Sequence, residues 1–275
     1  MRYAIVGLGG IGTSIGLALR KADPSAQVLG YDLNPDATAG ALSLGALTDA
    51  LSELTACASV ELIVLATPPS TVGELLSAFA PHLVATTVLT EVASVKMPVL
   101  AEVEGRLAFP SRFVGGHPIA GTEHSGWQSA RADLFRGAQW VLTPTDTTDA
   151  EALDTVEQFV RKLGAIPLRM DAQRHDREMA LLSHLPHIVA FSLSALHRQC
   201  PTQLQGGGSW QSATRVAHSD PALWSEILSL NREALAEVLR LFQTELGQVL
   251  ALLEQGDSEG IRRWLEQARL RSDRE

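Results

Sequence analysis

The fold is decided by residues 2–12, which read RYAIVGLGGIG. The apolar run at residues 2–6 is typical of a β-strand, glycines follow at once, and a segment of helical composition continues from Thr13 to Lys21. The glycines match the pattern GxGxxG at a strand-to-helix junction, which is where this pattern has a mechanism. The stretch therefore predicts the first strand, turn and helix of a Rossmann-type nucleotide-binding domain.

Each of the three glycines of the pattern has its own role in such a turn. Gly7 allows the chain to turn tightly, Gly9 lets the backbone approach a pyrophosphate, and Gly12 lets the helix pack closely on the strand. The free N–H groups at the start of the helix favour an anion in front of them. We therefore predict that these three glycines bind the cofactor.

A carboxylate stands where the second strand is expected to end. The apolar run at residues 27–31 is followed by Asp32, 20 residues after Gly12, and at this position a carboxylate accepts hydrogen bonds from the hydroxyls of the adenine ribose. Residues 33–35 supply no arginine for a 2′-phosphate. The sequence therefore predicts Asp32 as a cofactor-binding residue and NAD, rather than NADP, as the cofactor.

Thr67 and Pro68 follow another apolar run, at residues 61–66. Open α/β sheets bind ligands at the carboxyl ends of their strands, so these two residues are predicted to line the nicotinamide side of the cofactor site. A rigid turn that requires prolines is an equally good interpretation and is compatible with the first.

Apolar runs divide the chain into two halves. Up to about residue 170, strand-like and helix-like segments alternate, which implies a parallel sheet. The further strands are expected at 86–90, 112–116, 139–143 and 165–170, with a helix at 150–163. Beyond residue 171 the β-branched runs disappear. Long helices are expected there at about 172–199, 220–255 and 257–270, broken by glycines at 206–208. We expect an α/β Rossmann-type domain over residues 1–170 and an all-α domain over residues 171–275.

Composition and charge exclude several classes of protein. Hydrophobic residues make up 45% and charged residues 19% of the 275 residues, which is typical of a globular protein. The net charge of −9 disfavours a nucleic-acid-binding surface. We expect no signal peptide and no membrane span, and therefore a cytoplasmic protein. Because Cys57 and Cys200 form no CxxC pair, neither a disulfide nor a structural zinc site is expected.

A second glycine-rich stretch, GGHPIAGTEHSG at residues 115–126, has no evident packing purpose. It contains four glycines and several hydrogen-bonding or titratable side chains directly after an expected strand, which is typical of a site loop. His117 is its candidate reactive group. A hydrogen-bonded structural histidine is the alternative interpretation.

This loop resembles the hallmark segment of the prephenate and arogenate dehydrogenase family. Three other segments are similar to motifs of that family: TEVASVK at 90–96, the histidine-rich segment at 175–187 and the junction at 214–224. Four ordered motifs are highly specific, and the resemblance runs from residue 3 to about 235.

The chain also departs from the family pattern. The family more often has Asp and Gly where this chain has Glu91 and Ala93, and residues 209–213 lack the aromatic residue and the Asp that usually follow the glycines. No role is transferred to residues 209–213.

The resemblance implies an NAD-dependent oxidative decarboxylation in tyrosine biosynthesis. Hydride leaves the ring carbon that bears the 4-hydroxyl of prephenate, CO2 is lost and the ring becomes aromatic. A neutral imidazole suits the group that takes up the hydroxyl proton, and His117 is predicted to be this base. Ser94 is predicted to bind the same hydroxyl or to hold the imidazole, with a strand-end cap as the alternative. Thr122 and Glu123 are predicted to touch substrate or cofactor, with hydrogen bonds to the backbone as an equal alternative.

Two histidines of the first helix beyond the sheet are predicted to line the cleft and bind substrate. His184 and His187 are three residues apart and share a face, and Pro186 should kink the helix because it deprives Leu182 of a hydrogen-bond donor. A structural pair is one alternative. Metal binding is another, but no Cys or carboxylate completes a set at ligand spacing, and no metal is predicted.

Arg215 is predicted to bind substrate. Prephenate carries two carboxylates, and a guanidinium binds a carboxylate through two parallel hydrogen bonds. An arginine on a helix surface is the alternative.

Other functions remain open. Arogenate dehydrogenase differs only in an amino group, which Glu123 would favour. A β-hydroxyacid dehydrogenase would need a lysine on the first helix after the sheet, and residues 175–183 contain none. A non-catalytic dinucleotide-sensing protein is the rival from another class, and the presence of both His117 and Arg215 argues against it.

Assembly and regulation follow from the same sequence. The helical half carries more apolar surface than one sheet edge would cover, so a homodimer is expected.

Neither a mutase domain before the glycine pattern nor an amino-acid-sensing domain after the helices is expected. Tyrosine resembles the product, so feedback inhibition, where present, is expected to be competitive and to use His117 and Arg215.

Overall fold

The structure, a computed structural model, describes residues 1–121, 125–200 and 202–272 of the protein. The described residues contain one sheet. The strands are β1 (Arg2–Val6), β2 (Gln27–Tyr31), β3 (Asp49–Ala50), β4 (Leu62–Leu65), β5 (Val88–Glu91), β6 (Phe113–Pro118), β7 (Gln139–Thr143) and β8 (Ile166–Arg169). Among the described residues they form an eight-stranded sheet in the order β3-β2-β1-β4-β5-β6-β7-β8. Every neighbouring pair is parallel except β6 and β7.

Some helices alternate with the strands along the chain, and others follow the last strand. Those that alternate with the strands are α1 (Gly10–Ala22), α2 (Pro35–Ser43), α3 (Val72–Phe79), α4 (Met97–Arg106) and α5 (Ala150–Lys162). Those that follow the sheet are α6 (Ala172–Met179), α7 (Leu185–Gln199), α8 (Gly208–Thr214), α9 (Pro221–Leu230), α10 (Arg232–Glu254) and α11 (Ser258–Ser272). The predicted fold class, an α/β Rossmann-type part followed by helices, is confirmed.

The sheet is buried on both faces. Successive side chains of a strand point to opposite faces, and on β1 Tyr3 and Ile5 join one apolar core while Ala4 and Val6 join the other. Side chains of α1 and α5 complete the first core, and those of α3 and α4 complete the second. A strand covered on both faces needs apolar residues at every position, which is why β1 is a continuous apolar run.

One strand pair departs from the predicted parallel sheet. Parallel neighbours need a crossover connection, usually a helix. Between β6 and β7, the described residues form one short 3-10 turn, Trp127–Ser129, and no α-helix. The chain therefore returns in the opposite direction, and β6 and β7 pair antiparallel.

The first helix beyond the sheet is continuous but not uniform. A π-helical turn, Ala180–His184, joins α6 to α7, and it ends two residues before Pro186. A proline lacks the N–H that would bond the carbonyl four residues earlier, so the wider turn forms where the sequence predicted a kink.

This helix bears on the expectation of no membrane span, because one segment does have the length and apolar composition of a span. Residues 172–199 contain an 18-residue window of mean hydropathy 1.5, enough to cross a membrane by length and composition alone. The same helix carries the buried polar side chains of His175, Asp176 and His184. Such side chains are rare in a lipid-facing helix, so the hydropathy is weak evidence for a span.

Contacts within the chain define two compact units, Met1–Asn231 and Arg232–Glu275. Helices α6 to α9 therefore belong to the same unit as the sheet, and α10 and α11 form the second unit. The helix expected over 220–255 is interrupted at Asn231, where α9 ends. The domain boundary at 170/171 remains a prediction.

The packing of α1 on β1 gives a testable prediction. A Cβ at Gly12 would lie 1.9 Å from the carbonyl oxygen of Gly7, a backbone atom that cannot rotate away. We expect Gly12→Ala to lower the free energy of unfolding by about 1–3 kcal/mol, measured by urea denaturation. Gly105→Ala is the matched control, because no described neighbour lies within 4 Å of its Cβ position in α4. Equal stability of the two variants would contradict this account.

Candidate active site

The glycine-rich turn takes the shape that its sequence predicts. Gly7 has a φ of +93°, which favours glycine, and a Cβ there would lie 2.5 Å from the carbonyl oxygen of Ala66. At Gly9, in contrast, no described atom outside its chain neighbours lies within 4 Å of the Cβ position. The backbone of Gly9 is therefore open to the approach of a ligand.

Asp32 is fixed against this turn. Its Oδ2 accepts the N–H of Leu8 at 2.7 Å, and its Oδ1 accepts the N–H of Asn34 at 2.8 Å. The N–H of Gly7 donates to the carbonyl of Tyr31 at 2.9 Å, which joins the ends of β1 and β2. Each carboxylate oxygen has a further lone pair, so the side chain keeps the capacity to accept ribose hydroxyls.

A cavity of about 810 Å³ lies in the first compact unit and extends from the glycine turn to the helices that follow the sheet. The predicted site residues that line it are Gly9, Thr67, Pro68, Ser94, His117, His187 and Arg215. The predicted residues outside its lining are Gly7, Gly12, Asp32 and His184. Thr122 and Glu123 lie outside the described residues.

One end of this cavity fits a dinucleotide. Gly9, Gly10 and Ile11 line it where the 13-residue helix α1 begins, and the N-terminus of a helix favours a pyrophosphate. The space beside Gly9 is the space that a side chain at this position would fill. The residues present therefore fit NAD.

His117 lies in β6, and hydrogen bonds fix both its backbone neighbour and its ring. Gly116 donates its N–H to Glu91 Oε1 at 2.8 Å and accepts from Lys96 Nζ at 2.6 Å. Glu91 and Lys96 form a buried ion pair with each other. The Nδ1 atom of His117 lies 2.8 Å from Nε2 of His175.

His175 is held in turn from its other side. Its Nδ1 lies 2.8 Å from Oδ1 of Asp176, whose carboxylate also accepts the backbone N–H groups of Lys96 at 2.7 Å and Met97 at 2.9 Å. His175 is 1% exposed and Asp176 is 5% exposed. A buried chain of hydrogen bonds therefore runs from Asp176 through His175 to His117.

The surroundings keep His117 neutral. Burial lowers its pKa well below the usual 6.5, and electrostatic interactions with His175, Lys96 and His184 lower it further. A neutral imidazole has a free lone pair and can accept a proton. The arrangement therefore suits general-base chemistry at the cavity wall.

Trp224 of α9 contacts both of the histidines that were predicted to share a helix face. His187 stacks on its ring, with the ring centroids 3.3 Å apart, and His184 meets it edge-on at 6.0 Å. Nδ1 of His187 bonds the carbonyl of Ser183 at 2.9 Å, so Nε2 is the nitrogen that remains for a ligand. Burial, followed by the charge of Arg215, lowers the pKa of His187.

His184 does not reach the cavity. It is completely buried, and its Nδ1 lies 3.0 Å from the side-chain nitrogen of Asn231. Burial lowers its pKa to about 4, so it is neutral at neutral pH. The structure thus brings His187 but not His184 to the cavity wall, although the predicted shared face is present.

Ser94 and Arg215 complete the polar lining that the sequence proposed. The Oγ atom of Ser94 is buried and finds no hydrogen-bond partner among the described residues. A buried hydroxyl without a partner is costly, which favours a bound ligand as its partner over a strand-end cap. Arg215 is exposed at the cavity and close enough to His187 for its charge to act there.

Sequence reasoning missed the roles of Lys96, His175 and Asp176. All three lie inside segments that resemble family motifs. They are buried, and buried charged side chains normally have specific partners. Their partners lie up to 80 residues away along the chain, and no local spacing indicates them.

Comparison with known proteins places both halves of the chain in one family. Residues 15–167 match the model of the prephenate dehydrogenase nucleotide-binding domain, and residues 171–267 match that of the prephenate dehydrogenase dimerization domain. Prephenate dehydrogenase of Bacillus subtilis (strain 168) is 31% identical over 272 residues, which cover 96% of this chain and 73% of that protein.

Solved structures agree. A prephenate dehydrogenase from A. aeolicus, in complex with hydroxyphenyl propionate and NAD+, superposes with a TM-score of 0.93 at 29% identity and covers 100% of this chain and 98% of its own. Synechocystis arogenate dehydrogenase superposes with a TM-score of 0.80 at 28% identity, and the match covers 100% of this chain and 99% of that chain. The predicted class, an NAD-dependent dehydrogenase, is confirmed, and the chain belongs to the prephenate dehydrogenase family.

Proposed function

We propose that the protein converts prephenate into 4-hydroxyphenylpyruvate, with reduction of NAD, as a cytoplasmic step of tyrosine biosynthesis. The observation that carries the proposal is the neutral imidazole of His117, at the wall of a cavity that starts at the glycine turn. Family membership supplies the substrate class, and the A. aeolicus relative binds hydroxyphenyl propionate, a ring compound related to the product.

The protein has to orient the substrate and hold one proton. When bound, NAD accepts the hydride from the ring carbon that bears the hydroxyl. His117 takes the hydroxyl proton as the C–O bond becomes a carbonyl. When the departing carboxylate leaves as CO2, its bonding electron pair enters the ring, and the ring oxygen takes a proton back. The net proton balance of the cycle is therefore zero.

The remaining lining residues position the substrate. Arg215 binds a carboxylate, and Nε2 of His187 offers a further hydrogen bond beside it. Ser94 binds the ring hydroxyl. Thr122 and Glu123 are retained as proposed contacts of substrate or cofactor, and Thr67 and Pro68 as the nicotinamide side of the site.

Arogenate is the second candidate substrate. It carries an ammonium group where prephenate has a keto oxygen, and two acidic side chains, Glu178 and Asp220, line the same cavity as Arg215. The similarity to the Synechocystis arogenate dehydrogenase supports the same alternative. A non-catalytic dinucleotide-sensing protein would have no use for the buried hydrogen-bond chain behind His117.

We further propose a homodimer formed through residues 171–275, with the cofactor domain at residues 1–170. Residues 171–267 match a dimerization domain. In addition, α10 and α11 carry leucines that are each more than half exposed: Leu241, Leu246, Leu250, Leu253 and Leu265. Exposed apolar residues in such number indicate an interaction surface.

The first prediction for the proposed function concerns substrate and cofactor. NADH formation, followed by absorbance, is expected with prephenate and NAD, and to be weaker with arogenate or with NADP. Asp32→Ala should weaken NAD binding by about 1–3 kcal/mol, because a hydrogen-bonded charge is lost, and leave prephenate affinity unchanged. Asp154→Ala, on the surface of α5, is the control. Equal or better catalytic efficiency with NADP would disprove the cofactor assignment.

The second prediction concerns the base. His117→Asn should keep the fold and NAD affinity and lower kcat at least ~100-fold, because an amide cannot take up the proton. Turnover, calorimetric NAD binding and thermal unfolding are the measurements. His82→Asn, on the surface, is expected to behave as the unmodified protein. Near-normal turnover of His117→Asn would show that another group is the base.

The third prediction concerns the carboxylate contact. Arg215→Ala should raise KM for prephenate at least ~10-fold, the scale of one charged hydrogen bond, with a smaller effect on kcat. Where tyrosine inhibits, inhibition should be competitive with prephenate and weakened by the same substitution. Arg161→Ala, on α5, is the control. Noncompetitive inhibition, or full tyrosine binding to Arg215→Ala, would reveal a separate regulatory site.

A further inference from the structure

The ring of His117 is bonded to a second histidine that the proposed chemistry leaves unused. The carboxylate of Asp176 only accepts hydrogen bonds, so the Nδ1 atom of His175 beside it carries the proton. In a neutral His175, Nε2 then has a lone pair. It can only accept from Nδ1 of His117 at 2.8 Å. The remaining nitrogen of His117, Nε2, is left without a proton.

We propose that His175 and Asp176 are positioning residues that fix the tautomer of His117 and receive positive charge when His117 takes up the substrate proton. The inference rests on the proposed function, because it assigns a role to residues behind the proposed base. Neither residue needs to touch substrate or cofactor for this role.

The carboxylate of Asp176 is the charge that lies next to His175, at 2.8 Å from its Nδ1 atom. Asp176 is buried, and among the described residues its carboxylate bonds, besides His175, two neutral backbone N–H groups. The groups that act on His117 are His175 of α6, Lys96 with its partner Glu91, and His184 of the π-helical turn, and Asp176 lies behind His175. Because Glu91 offsets Lys96, the carboxylate of Asp176 is the charge without a cation in this group.

The proton path follows from these contacts. The substrate O–H bond breaks, and its proton forms a bond to Nε2 of His117. The proton on Nδ1 of His117 moves to Nε2 of His175, which leaves His117 neutral and makes His175 an imidazolium beside the Asp176 carboxylate. When the ring becomes aromatic, both protons move back and the ring oxygen is protonated again. No oxidant or other reactant is needed for this transfer.

Asp176→Asn tests the role in catalysis. We expect kcat to fall at least ~10-fold with NAD affinity unchanged, because the pair loses its fixed tautomer and its counter-charge. The acid limb of the kcat/KM profile should move to lower pH by roughly one unit, because removal of a neighbouring negative charge makes an imidazolium less stable. Asp171→Asn is the matched control, since Asp171 is exposed on the same helix and caps it through the N–H of Arg174.

A second variant and an NMR measurement test the same role independently. Asp176 also accepts the N–H groups of Lys96 and Met97, so Asp176→Asn can disturb folding. His175→Gln leaves those contacts in place and should lower kcat by a similar factor. Long-range proton–nitrogen NMR of protein labelled with 15N-histidine should show His117 in the Nδ1–H form, and a mixture of both forms in Asp176→Asn.

The NMR arm needs no substrate, so it separates the two proposals. Absence of turnover with prephenate would overturn the proposed function. The tautomer of His117 seen by NMR would still test whether His175 and Asp176 fix it. If His117 is in the Nε2–H form, or if both variants keep normal kcat and pH profile, the role of His175 and Asp176 is overturned while the proposed function stands.

Discussion

The carboxylate of Asp176 is the contact on which the geometry of the site depends. It accepts the N–H groups of Lys96 and Met97 from the segment after β5, and it faces His175 on its own helix. A buried carboxylate is costly unless such donors satisfy it, so this contact has a defined geometry. The backbone carbonyl of the same residue accepts the side-chain N–H of Asn231 at 2.8 Å. Asp176 thereby fixes α6 to the segment after β5 and brings the histidine beside it to His117.

The strand that carries His117 is held by a second buried charge, and here the chain differs from the usual family pattern. Lys96 is fully buried, and burial lowers its pKa while the charge of Glu91 opposes that shift. Glu91 is one methylene longer than the Asp that is more usual at this position, yet it reaches Lys96 and the N–H groups of Gly116 and Ala93. Loss of one partner of a buried pair leaves the other charge uncompensated. Glu91 and Lys96 therefore act together to hold the peptide before His117.

Local chemistry explains which features could be predicted from the sequence. The turn at Gly7 and the close packing at Gly12 could be predicted because their backbone geometry excludes a side chain. The distortion before Pro186 could be predicted because a proline lacks the N–H donor. The contact between His117 and His175 joins residues 58 positions apart and exists only because α6 docks on the sheet edge. The same docking decides that His187 reaches the cavity while His184 is buried against Asn231. No periodicity in the sequence distinguishes two histidines that share a face.

The distribution of charge explains why a cluster of histidines can serve an anionic substrate in a chain of net charge −9. The exposed guanidinium of Arg215 lies at the cavity wall, where solvent screens it. Lys96, a second cation near the cluster, is fully buried and neutralised by Glu91. An unpaired Lys96 would lower the basicity of His117 further, because like charges in a low-dielectric interior repel strongly. Because Lys96 is paired, the proposed attraction of an anion falls to Arg215, while burial favours the neutral form of the His117 imidazole, which can accept a proton. In the proposed mechanism, a guanidinium therefore attracts the anionic substrate and a neutral imidazole takes up its proton, so different groups of the same cavity perform the two tasks.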